Sequence, residues 1–213
     1  MMLSLDREIT LAVNGWHSAF GDAFFWVFTK TWVWVPLFAV LVFLLIRENG
    51  WRKAVVVLAG MTVALLLADQ ACNLIKITVC RPRPTHEPLH VGQVHTVNGY
   101  VGGMYGFCSA HAANTMALML FTSMVVRRWQ YVVAMASWVV VSCWSRIYLG
   151  VHYVGDIIAG LAVGTLCALA VYLVYRKMVK CEMQVSQKSA NALIISYMVL
   201  VLGVLINACF GML

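Results

Sequence analysis

A chain of 213 residues that is 62% hydrophobic and only 11% charged, with a mean hydropathy of +0.85, lies far from soluble domains, which run at about 45–50% apolar and about 25% charged. This composition excludes a water-soluble globule, a disordered chain and a coiled coil, and it makes the bilayer the solvent. The net charge of +7 is then a signal of topology before it is a signal of any partner, and nucleic acid is not expected.

The first eight residues lack the basic stretch followed at once by an apolar core that a cleavable signal peptide needs, so no removal is expected. Leu5, Ile9, Val13, Trp16 and Phe20 recur at spacings of three and four, with Asp6, Arg7, Thr10, Asn14 and His17 on the other face. That pattern suits either a helix lying in the outer interface or an extra turn leading into the first span, and both readings stand.

A spanning helix needs about 20 mainly apolar residues. Segments 24–46, 54–75, 110–126, 129–148, 153–175 and 192–210 meet or approach this. They predict an all-α fold: a polytopic membrane helical bundle of six transmembrane helices in a single domain, residues 1–213, with no soluble module and no visible inverted repeat. Arg47, Arg52, Lys53, Arg127, Arg128, Arg176, Lys177, Lys180 and Lys188 all fall in connections on one side. By the positive-inside rule that side is cytoplasmic, which turns both termini, the long segment 76–109 and the turn at Gly150 outward. Lys76, Arg81, Arg83 and Arg146 sit on the outward side against the rule and need another explanation.

Seven cysteines, an odd number mostly within apolar runs, give no disulfide framework. Cys80 and Cys108 flank the outward polar segment and could pair if that side is oxidising. Asp69, one of the few deep charges, reads either as a buried acid satisfied by Gln70 or Asn73, or as a proton donor.

Three polar groups stand out, because ionisable residues at membrane depth or at its edge are functional candidates by default. In the first, Lys76 and Arg83 are seven positions apart, and Pro82 and Pro84 hold Arg83 in an extended exit from the second span. In the second, Ser109 is placed to cap a helix whose free N–H groups and dipole favour an anion, with His111 in its first turn. In the third, His152 and Asp156 are four apart and share a helix face, so the carboxylate can fix the imidazole tautomer while Arg146 returns beside them. Each group alone also has an ordinary reading, as a snorkelling or headgroup-binding cation or a plain cap. Together, three cations, a helix N-terminus and two histidines with only Asp156 as counter-charge define a site for a phosphate.

Lys76 with Arg83-Pro84, Ser109 with His111, and Arg146 with His152 and Asp156 resemble, in order and spacing, the three signature motifs of the type 2 phosphatidic acid phosphatase family. The match spans residues 76–156, the motif core. The resemblance implies a metal-independent membrane phosphatase acting on lipid phosphates, without cofactor. His152 would attack phosphorus to form a phosphohistidine, Asp156 would orient it, and His111 would protonate the leaving oxygen. Lys76, Arg83, Ser109, the backbone at Ala110, and Arg146 would bind the phosphoryl oxygens. Cys108 and Ala110 replace the proline and glycine usual in the second motif, which bears on the loop geometry there.

Segment 85–107, with His86, Glu87, His90 and His95, is long enough to form a partial lid, and a metal site on His86, Glu87 and His90 is the competing reading. The expected setting is a bacterial inner membrane with the site facing the periplasm. Undecaprenyl diphosphate is the first expected substrate, ahead of a lipid A phosphate and of phosphatidylglycerophosphate or phosphatidate. The contrasting class is a non-catalytic headgroup-binding protein or a transporter.

Overall fold

The computed structural model describes residues 2–90, 92–179 and 183–211. The side chain of His90, together with Lys180 and Cys181, lies outside the described residues. The described chain is helical: α1 (Met2–Gly15), α2 (Ala19–Phe28), α3 (Thr31–Asn49), α4 (Trp51–Val79), α5 (Ala110–Val126), α6 (Trp129–Tyr148), α7 (Val154–Met178) and α8 (Gln187–Phe210), with three short 3-10 turns between α4 and α5. Five of these, α3, α4, α6, α7 and α8, are long and apolar enough to cross a membrane. The sixth expected segment, α5, is an apolar helix of 17 residues, about 26 Å at 1.5 Å per residue. It lies at the centre, packed against α4, α6 and α7.

The expected first span, 24–46, is two helices. Ser18 caps α2 by accepting from the Gly21 amide, and the helix ends at Thr29, so that Lys30 restarts the chain as α3. The N-terminal segment is therefore a separate helix and not an added turn. Its polar face points inward: Thr10 and Asn14 are buried, while Leu5, Ile9 and Trp16 are exposed. Outward apolar side chains are the rule in this molecule, with Leu66, Leu166 and Leu202 more than half exposed, as a lipid-facing surface requires.

α7 meets α5 through Gly160 and Gly164. A Cβ at Gly160 would strike the Ser109 carbonyl, and one at Gly164 would strike the Ala113 carbonyl. This small-xxx-small stripe lets the two backbones touch, and it sets the start of α5 against the first turn of α7.

The bundle has two chemically distinct ends. At one, the expected basic connections meet: Asn49 exchanges hydrogen bonds with the Gln184 backbone at 2.8 and 2.7 Å, and Arg128 donates to the Val185 carbonyl at 3.0 and 2.6 Å. At the other end lie Arg81, Arg83, Arg146 and His152.

Candidate active site

After α4, Cys80 takes a left-handed conformation and the two prolines keep the chain extended. Arg81–Arg83 then pairs antiparallel with 104–106: the Arg83 amide donates to the Met104 carbonyl at 3.1 Å and the Gly106 amide to the Arg81 carbonyl at 2.9 Å. Gly106 is required by this close approach, since a Cβ there would stand 2.8 Å from Asp156 Oδ2 and 3.2 Å from Arg83 Cγ.

His152 precedes α7 and is 1% exposed. Its Nδ1 lies 3.4 Å from Asp156 Oδ2, and its Nε2 lies 3.3 Å from Arg83 Nη1. A guanidinium only donates, so Nε2 carries the lone pair and the proton resides on Nδ1, facing the carboxylate. Burial first, then the charges of Arg83, Arg146 and Lys76, hold this imidazole well below the ordinary histidine range. The ring is thus a neutral base with its free nitrogen among cations.

Asp156 is fully buried. It accepts from the Tyr153 amide at 3.0 Å and from Arg81 Nη1 at 3.0 Å. Arg81 also donates to Asp6 at 2.7 Å and lies over the Tyr153 ring, while Asp6 accepts from the Gly155 amide at 2.9 Å. The N-terminal helix is thereby tied to the charged pair beneath the histidine.

Arg146, 2% exposed, donates to Thr29 Oγ1 at 3.0 Å and to the Tyr100 hydroxyl at 3.4 Å. The Nε atoms of Arg83 and Arg146 are buried with no partner among the described residues, two donors that an anion would satisfy. Ser109 caps α5, its Oγ accepting from the Ala112 amide at 3.4 Å, while its own amide donates to the Asp156 carbonyl at 2.9 Å. The amides of Ala110 and His111 remain as first-turn donors with no intrahelical acceptor. Lys76 and His111 stand within electrostatic reach of Arg83, and His111 also of Arg146 and His152. All eight residues singled out from sequence gather at one end of the bundle.

Other expectations are corrected. The partner of Cys108 is Cys72, with the sulfurs 3.1 Å apart; Cys80 is exposed and bonds its own helix at the Ile77 carbonyl. His86 is bonded to the Gly102 carbonyl and Glu87 is paired with Arg7 at 3.2 Å, so the two are engaged separately. His95 stacks on His17 and pairs with Asp22 at 2.9 Å, pinning the 85–107 segment to the N-terminal helices. Sequence reasoning did not assign Arg81, Asp6, Gly106 or Tyr100. The signal available was Arg81, an outward cation with no role.

From His111 a groove of about 830 Å³ runs between α3, α4, α5 and α6 as far as Ile46, walled by Trp34, Phe38, Leu65, Leu118 and Trp138. At His111 the basic cluster therefore adjoins a largely apolar trough of the kind that lipid tails fill.

These features define a polytopic membrane phosphatase, and the model of the PAP2 superfamily matches residues 53–180. The chain belongs to the PAP2 superfamily and is a hydrolase of lipid phosphates, as expected, and the contrasting class of non-catalytic binder or transporter gives way. It is 36% identical over 175 residues to a lipid A 4'-phosphatase of Porphyromonas gingivalis, covering 82% of this chain and 74% of that one. A lipid A 4'-phosphatase of Bacteroides thetaiotaomicron is 32% identical over 176 residues, covering 82% and 78%. The crystal structure of a transmembrane PAP2 type phosphatidylglycerolphosphate phosphatase from Bacillus subtilis superposes with a TM-score of 0.64 over 84% of this chain and 88% of that one, at 20% identity. That last likeness is one of fold.

Proposed function

We propose that this protein removes a phosphate monoester from a lipid A-type glycolipid at the periplasmic face of a bacterial inner membrane. The reading is carried by the free Nε2 of His152, held 3.3 Å from Arg83 in a buried basic pocket that opens onto the apolar groove. The substrate choice is supported by the two lipid A 4'-phosphatases among the relatives, which puts this substrate ahead of undecaprenyl diphosphate. The facing is supported by the basic connections gathered at the opposite end.

Nε2 of His152 attacks phosphorus, and the N–P bond forms as the P–O bond to the lipid breaks. His111 gives its proton to the departing oxygen. Lys76, Arg83, Arg146, Ser109 and the amides at the start of α5 hold the phosphoryl oxygens, where charge must be neutralised. Asp156 keeps Nδ1 protonated and steadies the cation that develops on the ring. Water, giving a proton back to His111 as its oxygen bonds to phosphorus, then cleaves the N–P bond of the phosphohistidine, restoring both histidines and releasing inorganic phosphate.

The test is phosphate release by purified protein in detergent from lipid A, undecaprenyl diphosphate, phosphatidylglycerophosphate and phosphatidate, run beside His152→Ala. Lipid A should be the best substrate, and His152→Ala should lose at least about 10³-fold in kcat while keeping its fold. Preference for the diphosphate would return the substrate to the polyprenyl class, and wild-type turnover by His152→Ala would remove the nucleophile.

A further inference from the structure

The groove is largely apolar; beside His111 it is lined by Asp69 and Asn114, and its other polar lining is the hydroxyl groups of Thr29, Thr31, Thr115 and Ser142. Asn114 follows His111 by one turn on the same face of α5, and Asp69 lies two turns before Lys76 on α4, so the pair sits just below the phosphate pocket. Asn114 Nδ2 donates to Asp69 Oδ1 at 3.4 Å, and Asn73 Nδ2 donates to Asp69 Oδ2 at 3.0 Å. A reversed Asn114 amide would set its oxygen against the carboxylate, so its orientation is fixed. Its Oδ1 is consequently left buried with no partner among the described residues. A bare amide oxygen facing an apolar trough is costly at membrane depth unless something donates to it, and the carboxylate beside it, which two amides already engage, has further lone pairs to offer. What this place offers a ligand is acceptors, and what it asks for is N–H or O–H.

We propose that Asp69 and Asn114 select lipid phosphates that carry hydrogen-bond donors, a hydroxyl or an amide N–H, immediately next to the phosphate. Sugar-based and amide-linked lipids present such donors at that depth; a diacylglycerol phosphate offers ester oxygens there, and a polyprenyl diphosphate offers hydrocarbon. The inference deepens the lipid A reading and rests on the same pocket. A donor-lacking lipid leaves the Asn114 oxygen desolvated and unpaired and the Asp69 carboxylate with its two amide donors alone, the asymmetry by which hydrogen-bonding sites reject analogues most strongly.

Two simple probes isolate the effect. Ceramide 1-phosphate has an amide N–H and a hydroxyl beside its phosphate; phosphatidate has neither. Their kcat/KM ratio is measured in the same detergent micelles for wild type, Asn114→Leu, Asp69→Leu and Asp69→Asn, with melting temperatures recorded alongside. Wild type should favour ceramide 1-phosphate by about tenfold or more. Asn114→Leu and Asp69→Leu should bring the ratio near one, chiefly through KM for the donor-bearing lipid, and Asp69→Asn, which keeps an acceptor oxygen, should retain most of it. Should Asp69→Leu fail to fold, Asn114→Leu and Asp69→Asn decide the matter. No preference in wild type, or loss by the same factor on both probes, would overturn the proposal. Lipid A assayed in parallel separates the two readings: a ceramide preference without lipid A cleavage sinks the lipid A assignment alone, and lipid A cleavage without a ceramide preference sinks this one alone.

Discussion

Arg81 Nη1 and Asp156 Oδ1 stand 3.0 Å apart, with Asp156 fully buried and Arg81 largely so. The same guanidinium reaches Asp6, so one cation neutralises two carboxylates, one from the N-terminal helix and one from the third motif. The forked shape of arginine suits this bridge, whereas the point charge of lysine does not.

Arg81→Gln should therefore leave a buried carboxylate short of its counter-charge. Losing one partner of such a pair costs on the order of 3 kcal/mol, read as a lower melting temperature in detergent. Because Asp156 orients His152, kcat should also fall, with a smaller change in KM. Arg81→Lys should recover part of the stability and little of the geometry.

A methyl group at Gly106 tests how tightly the pocket is built. Its carbon would stand 2.8 Å from Asp156 Oδ2, whereas one at Gly103 meets nothing within 4 Å. Gly106→Ala should cut kcat by about 10²-fold, the scale of a misplacement near 1 Å, while Gly103→Ala should match wild type in turnover and melting temperature. Equal behaviour of the two variants would show that the 104–106 strip does not position the site.

The depressed proton affinity of His152 has a signed consequence for stability. Below about pH 6.5 the unfolded chain protonates this imidazole while the folded one, crowded by Arg83, Arg146 and Lys76, does not. Stability should fall with falling pH below that point, by up to about 1.4 kcal/mol per pH unit until the folded group also titrates. Above it this residue adds no pH dependence. Melting temperatures from pH 8 to 4 should thus decline less steeply in His152→Ala than in wild type.

Three fixed cations supply the charge neutralisation that phosphoryl transfer needs, so EDTA should leave turnover unchanged. Strong inhibition reversed by one metal would point to the segment carrying His86 and Glu87. Vanadate, which adopts the five-coordinate geometry of phosphorus during transfer, should compete with substrate, and indifference to it would speak against attack by His152.

Bilayer residence, the helical class and the motif residues were legible from residue order alone, because hydropathy, charge side and local spacing are properties of nearby positions. The boundaries of α5 and α6 could be read from the apolar runs themselves. The break at Thr29 could not, since apolar residues continue on both sides and only the cap and the restart at Lys30 divide them. Nor did spacing indicate that Cys108 would meet Cys72, that Arg81 would tie Asp6 to Asp156, or that Asn114 would leave an oxygen bare in the groove. Those relationships join residues as far as 150 positions apart, and they arise only when Gly160 and Gly164 let α7 close on α5 and the N-terminal helix folds its polar face over the result.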